Sequence, residues 1–320
     1  MPALSNRASG ARHCCVAGIG VGIGVGAQIR IIIMGSVIDL FLPLSLAYIM
    51  FTVGLGLTFS DFRRLGLQPR DFLVGLICQI FLLPLLGFLI VMAWQPSPEI
   101  AMGVMLIVAA PGGPTSNLFT RLSRGDVALS VSLTVIVSLL SVVTIPLIVG
   151  LSYPFFFAEG GVEDISLGAL ALRLFLMATL PVLLGMTFRQ FLPDRAQRLE
   201  PGMLRLASVL FVLVIGLAIY GQRALLPGFF LQTGLLTLVL NLAVVTLAVL
   251  IGYRLASGPR QTVAITIECG IQNGTLAIAL AASLFGGGLY VMPAVTYSLL
   301  MYLTLVAAMF HFRRWAAKPA

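Results

Sequence analysis

Charge is what this chain has least of: only 9% of its 320 residues are Asp, Glu, Lys or Arg. A soluble domain of that length needs far more polar surface, so folding in water is excluded and the bilayer becomes the solvent. Histidine is almost missing too, since His13 and His311 lie near the two ends. With no histidine and only one acid deep in the apolar runs, no acid–base pair is available to an intramembrane hydrolase, and an enzyme is not expected. The four cysteines, Cys14, Cys15, Cys78 and Cys269, form no C-x-x-C pair. A disulfide framework and a thiolate metal centre are therefore excluded, and no cofactor is expected.

What the chain does have is hydrophobic length: 59% of it is apolar and its mean hydropathy is +1.08. Nine apolar segments cover 36–58, 71–94, 99–120, 126–150, 168–188, 203–222, 229–253, 260–285 and 290–311. Each is close to the ~20 residues a membrane helix needs. An all-α polytopic membrane protein with nine transmembrane helices is expected. Residues 1–35 leave an alternative open. Arg7, Arg12 and His13 precede Cys14-Cys15 and a glycine-rich run from Gly18 to Gly26, which is poor helix-forming material. This stretch reads either as a tenth, glycine-packed span or as a leader ahead of Met34.

The net charge of +8 would suit a nucleic-acid partner, but the placement of the basic residues argues against one. Arg63, Arg64, Arg70, Arg121, Arg124, Arg189, Arg195, Arg198, Arg205, Arg254, Arg260, Arg313, Arg314 and Lys318 fall in alternate connections and the tail. Only Arg173 and Arg223 fall on the other side, which carries Glu99, Glu159, Glu163 and Asp164. Fourteen against two is a topology signal, and it puts the C-terminus and the 313–320 tail in the cytoplasm of an inner (plasma) membrane protein. The partners expected are the lipid bilayer and a small solute, not nucleic acid.

Two segments are interrupted. The third meets Pro111-Gly112-Gly113-Pro114-Thr115-Ser116-Asn117, and the eighth breaks from Gly270 to Gly274. Neither sequence continues an α-helix. Breaks at matching places in two halves point to an inverted repeat and to a transporter's binding site. Glu268, just before the second break, is the one acidic residue of 11 in the middle of an apolar run. A carboxylate at that depth is expensive and persists beside a partner or a wet cavity. Gln79 is the lone amide of the second segment, and Ser130, Thr134 and Ser138 share one face of the fourth at i, i+4, i+8. With Ser116, Asn117 and Gln272 these groups supply oxygen for two sites for a hard cation such as sodium. Other roles stay open. Ser138 and Ser141 suit back-bonding to carbonyls, Gln79 suits interhelical bonding, and Glu268 suits a structural hydrogen bond or a proton carrier.

Pro111-Gly112-Gly113, Ser116-Asn117 and Gly125-Asp126-Val127-Ala128-Leu129-Ser130 with Thr134 resemble the first crossover signature of the bile acid:sodium symporter family. Glu268-Cys269-Gly270-Ile271-Gln272-Asn273 is similar to its Glu-x-Gly-x-Gln-Asn motif, and Gly54-Leu55-Gly56-Leu57 to Asp61-Phe62 looks like its early glycine-rich helix end. The resemblance spans about residues 36 to 312. It implies that the broken helices cross near the membrane midplane, in a core domain (71–150 and 229–312) that moves against a panel domain (36–58 and 168–223). One sodium would be held by Ser116, Asn117, Ser130, Thr134 and Glu268. The other would use Gln79, Glu268, Gln272 and the carbonyls of Cys269 and Ile271. Pro114, Thr115, Asn273 and Tyr302 would face the substrate. The chain departs from the family pattern at Pro114, where a small hydroxyl is common, and at Leu300-Met301-Tyr302, where a polar pair is common, so the substrate pocket is altered.

The implied function is sodium-coupled symport of an organic anion by alternating access, by a monomer. Bile acid-like, pantoate-like and other carboxylate or sulfonate anions all fit, and a proton-coupled or exporting anion carrier of the same fold is the alternative. A ligand bound only by the folded state stabilises it. Sodium chloride is therefore expected to raise the melting temperature of the detergent-solubilised protein; equal protection by potassium chloride would refute selective binding.

Overall fold

Prolines and glycines set several of the helix boundaries in this chain. In the computed structural model the described residues are 41, 43–56, 69–113, 115–157, 172, 175–221 and 226–315. Among them are eleven helices and no strand: α1 Pro43–Leu55, α2 Pro69–Trp94, α3 Pro98–Ala109, α4 Thr115–Leu122, α5 Val127–Phe156, α6 Phe175–Phe191, α7 Pro193–Gly221, α8 Leu226–Leu255, α9 Pro259–Gly270, α10 Gly274–Phe285 and α11 Met292–Trp315. Proline opens α2, α3, α7 and α9, where its missing N–H costs nothing. Asp126 caps α5, accepting the N–H groups of Ala128 and Leu129 at 3.1 Å each.

Every predicted apolar segment is helical over most of its described part, and the third and eighth are interrupted at 110–113 and 271–273. By length and composition α2, α5, Thr233–Leu255 of α8 and Gly288–Trp315 could each cross a membrane alone. The two broken segments could not. Twelve residues of α-helix reach roughly 18 Å, well short of a ~30 Å hydrocarbon core, so each half-helix needs its continuation. The predicted leader, residues 1–35, and Pro114 lie outside the described residues.

Helix ends differ from the hydropathy reading in two places. Helix α5 runs to Phe156 through Pro146 and Pro154. Helix α7 starts at Pro193, ahead of its apolar portion, because the polar first turns still complete backbone hydrogen bonds and bury Ala196. Those turns also hold a contact to α1: Arg189 of α6 donates to the last carbonyl of α1, Leu55 O, at 2.6 Å and pairs with Glu200 of α7 at 2.9 Å.

The buried centre is built from the half-helices. Every residue from Ile100 to Ala109, from Thr262 to Gly270 and from Gly274 to Ala281 is buried, so α3, α9 and α10 are covered on all sides, as a helix that is apolar all round must be. Helix α8 packs on α9 and α11, and α3 packs on α5. Where α3 ends, Ala110 turns extended (φ −64°, ψ 147°), and where α9 ends, Ile271 does the same (φ −103°, ψ 109°). The two tips cross antiparallel. Gly113 N–H donates to Ile271 O at 3.0 Å, and Asn273 N–H donates to Pro111 O at 2.8 Å.

Helices α1 and α6 touch through Gly54 and Gly185. A Cβ on Gly54 would stand 2.2 Å from Val182 O, and one on Gly185 would stand 2.2 Å from Phe51 O. Close approach through small residues is how membrane helices gain packing energy without a hydrophobic drive. Backbone cannot yield as a side chain can, so Gly54→Ala or Gly185→Ala should lower stability by about 1–3 kcal/mol. A thermal melt in detergent checks this, and an unchanged midpoint would mean the helices are not in contact there.

Candidate cation site at the helix crossing

Glu268 sits two residues before the end of α9 and is 1% exposed. Its carboxylate is ringed by hydroxyls from the other broken segment and from α5. Ser116 donates to Oε2 at 2.7 Å, Ser130 donates to Oε2 at 3.0 Å, and Thr134 donates to Oε1 at 2.6 Å. Ser116 lies in the first turn of α4, while Ser130 and Thr134 are one turn apart on α5, so the predicted i, i+4 pairing puts both on the carboxylate. Thr134 Oγ1 is also 3.0 Å from Ser130 O, and its single hydrogen can serve only one of the two acceptors. Thr120 stands behind Ser130, its hydroxyl 3.3 Å away.

Among the described residues no cationic side chain pairs with this carboxylate: the ion pair found is Arg189–Glu200, at the far end of α6. A buried carboxylate without a counter-charge costs several kcal/mol. Hydroxyls only partly offset that, but they are acceptors as well as donors, and the same three oxygens can turn lone pairs to a cation. Gly112 makes room for the arrangement, since a Cβ there would lie 2.0 Å from Glu268 Oε1.

A second polar group adjoins the crossing. Residues Cys78–Leu82 of α2 form a π-turn, the kind of local widening that often marks a functional site. It carries the Gln79 amide, whose Nε2 donates to Gln272 Oε1 at 2.9 Å and to Ala110 O at 3.3 Å. Gln272 Nε2 in turn donates to Cys269 O at 2.7 Å, and Ile271 O receives the Gly113 N–H. Gln79 Oε1 is buried without a hydrogen-bond partner, and so is Asn117 Oδ1. Oxygens of a carboxylate, hydroxyls, amides and backbone carbonyls gathered at one crossing form a donor set that suits a hard cation.

The structure brings Gln79, Ser116, Ser130, Thr134, Glu268, Cys269, Ile271 and Gln272 together around the crossing. Asn117 is near it in sequence but is not bonded to Glu268. Ser138 enters the described hydrogen bonds through its carbonyl, which Ser141 Oγ back-bonds at 2.7 Å. Thr115 and Tyr302 meet at 3.1 Å between their hydroxyls, and the Tyr302 ring stacks on Phe119 at 5.8 Å. Asn273 caps α10 by accepting Leu276 N–H at 3.0 Å, and its Nδ2 reaches Met50 Sδ of α1 at 3.9 Å.

Sequence reasoning missed a clamp on the last carbonyl of α9. Gly270 O accepts Asn241 Nδ2 at 3.0 Å and the Tyr297 hydroxyl at 3.2 Å, while Thr304 Oγ1 donates to Asn241 Oδ1 and so fixes which way the amide faces. Asn241, an amide inside the apolar run of α8, carried the same signal as Gln79. Asp71 was missed because it stands at the edge of a run. It is 1% exposed and holds the turn before α9 by accepting Ser257 N–H at 2.6 Å and Ser257 Oγ at 2.8 Å.

Comparison with known proteins adds a second line. The model of the sodium bile acid symporter family matches residues 43–227, which include Gln79 and the first break but stop short of Glu268. A probable chloroplastic sodium/metabolite cotransporter of Oryza sativa subsp. japonica is 30% identical over 280 residues, 82% of this chain and 64% of the relative. An uncharacterized sodium-dependent transporter of Bacillus subtilis (strain 168) is 30% identical over 266 residues, 82% of this chain and 79% of the relative. The human ileal sodium/bile acid cotransporter is 29% identical over 190 residues, 59% of this chain and 53% of the relative. The chain thus spans less than two thirds of the length of the rice and human relatives.

Gly112→Ala should push the carboxylate out of its ring of hydroxyls. The expected result is a loss of roughly tenfold or more in apparent sodium affinity, read as the concentration that protects against thermal unfolding. An unchanged value would show that Glu268 does not lie against Gly112.

Proposed function

The chain belongs to the sodium bile acid symporter family, whose members are sodium-coupled transporters, and on that premise we propose that it carries a small organic anion into the cell with sodium by alternating access. The observation that carries the reading is Glu268: a buried carboxylate held by three hydroxyls, with no cationic side chain paired to it among the described residues, where two interrupted helices cross. One sodium ion would take the oxygens of Glu268, Ser116, Ser130 and Thr134, with Asn117 turning in its orphaned Oδ1. A second would take Gln79, Gln272, Glu268 and the carbonyls of Cys269 and Ile271.

Helix polarity supports the assignment. The crossing gathers the C-terminal ends of α3 and α9, whose carbonyls favour cations, and the N-terminal ends of α4 and α10, whose N–H groups favour anions. Two sodium ions and one carboxylate leave one excess positive charge beside those N-termini, which suits a monovalent anion. Entry of two sodium ions with that anion moves one net charge, and the membrane potential then contributes ~2.3 kcal/mol per 100 mV. A proton-coupled or exporting carrier is the weaker reading, because it would not need the Gln79–Gln272 amide pair.

In this reading nine spans, ten if residues 1–35 add one, form an inverted repeat. Helices α1, α6 and α7 form a panel, the remaining helices form the core, and the crossing lies at the midplane with the C-terminus in the cytoplasm of the inner (plasma) membrane. Support for the division comes from the glycine contact between α1 and α6 and the Arg189–Glu200 pair between α6 and α7. Asn273 touching Met50 gives the crossing a direct contact with the panel. Thr115, Tyr302 and Asn273, with Pro114, would face the substrate, and a monomer suffices.

The test is uptake of a panel of radiolabelled organic anions into proteoliposomes, with and without an inward sodium gradient. For the wild type, sodium should stimulate uptake of at least one anion. For Glu268→Gln, apparent sodium affinity should fall by roughly thirtyfold or more, the effect of removing one member of a buried charge contact. Sodium stimulation unchanged in Glu268→Gln would remove the site assignment.

A further inference from the structure

Basic residues from three separate parts of the chain, the end of α4, the start of α9 and the end of α11, lie together at one end of the described structure. Arg121, Arg124 and Arg260, with Gly125 and Val127, line a cavity of about 390 Å³. Arg124 also lines a second cavity, of about 440 Å³, with Arg313, Arg314 and Phe310. Among the described residues no carboxylate pairs with any of these five guanidinium groups. Asp126, the acid nearest in sequence, spends Oδ1 on the N–H groups of Ala128 and Leu129 and receives Gln261 Nε2 on Oδ2 at 3.3 Å. Five unpaired like charges around two cavities that share Arg124 repel one another and concentrate an anion.

A second, independent feature is the backbone of Arg124. Helix α4 ends in the paired bonds of a Schellman turn, with Gly125 N–H on Thr120 O at 2.8 Å and Arg124 N–H on Arg121 O at 3.2 Å. The residue that turns left-handed in this motif is usually glycine, yet here it is Arg124, with φ 62°. A glycine does follow, but it is needed for space: a Cβ on Gly125 would lie 2.9 Å from Thr120 Cγ2 and 3.0 Å from Val263 Cγ1. The turn itself would form more easily with glycine at 124. Strain is kept at the one residue whose side chain lines both cavities, and retained strain of this kind points to a site.

We propose that this arginine cleft binds the phosphate of an anionic phospholipid. The planar guanidinium fork matches phosphate oxygens, and basic pockets between membrane helices take lipid headgroups. An apolar rim favours a lipid over free phosphate: Phe310, 63% exposed, lines the cleft, and Leu118 and Leu122 of α4 are exposed beside Arg121. A headgroup bound there ties the outer ends of α4 and α9, whose inner ends carry Ser116 and Glu268, to α11. The inference does not rest on the cation reading.

The full-length protein, delipidated in a nonionic detergent, tests this by thermal melting with phosphatidylglycerol, phosphatidylcholine or inorganic phosphate at equal concentration. Phosphatidylglycerol should raise the midpoint, and the other two should not. Arg124→Gly should melt higher than wild type without lipid, because its strain is relieved, yet need roughly tenfold more phosphatidylglycerol for the same protection. The double variant Arg313→Gln, Arg314→Gln should lose protection in the same way and serves if Arg124→Gly fails to fold. Equal protection by phosphatidylcholine overturns the proposal, as does protection by inorganic phosphate alone. A phosphatidylglycerol response unchanged in the variants, or a lower lipid-free midpoint for Arg124→Gly, also overturns it.

Discussion

Two backbone hydrogen bonds hold this molecule's centre: Gly113 N–H to Ile271 O and Asn273 N–H to Pro111 O. Away from water an unpaired peptide group costs several kcal/mol, so a membrane chain interrupts a helix only where something else satisfies the freed groups. Here each interruption satisfies the other. The α3 tip cannot stay extended without the α9 tip beside it, and the reverse holds equally. Four helix ends are thereby fixed to one another, and the side chains next to them inherit that geometry.

From this constraint the polar interior follows. The extended tips bring Glu268 against Gly112, where only a residue without a side chain leaves room. Ser116 arrives because α4 restarts immediately after the crossing, and Ser130 and Thr134 arrive because α5 packs against α9. The carbonyls left at the end of α9 are held individually: Cys269 O by Gln272, Gly270 O by Asn241 and Tyr297, and Ile271 O by Gly113. Gln79 Oε1 and Asn117 Oδ1 are among the few buried side-chain atoms left without a hydrogen-bond partner.

Hydropathy made the helical segments legible because lipid demands continuous apolar length, and proline with glycine made the breaks legible because neither supports helix in bulk. Glu268 stood out for the same reason that it is expensive. The clamp on Gly270 O did not stand out. Asn241, Tyr297 and Thr304 lie on α8 and α11, far apart in sequence, and each alone looks like an ordinary polar residue in a span. Asp71 stands at the end of an apolar run, where a carboxylate draws no notice, yet it is enclosed by the turn before α9. Charge placement grouped Arg121, Arg260 and Arg313 on one side, but it could not say that they line cavities sharing Arg124.

The order of apolar and polar residues along the chain was enough to determine an all-helical membrane protein, two interruptions and one costly carboxylate, since all three depend on local composition. The tertiary structure alone decided which interruption pairs with which, which hydroxyls reach Glu268, and which carbonyls are tied and which acceptors left over. Those are distances between residues up to 193 positions apart, as between Gln79 and Gln272, and only packing brings such residues within a hydrogen bond of each other.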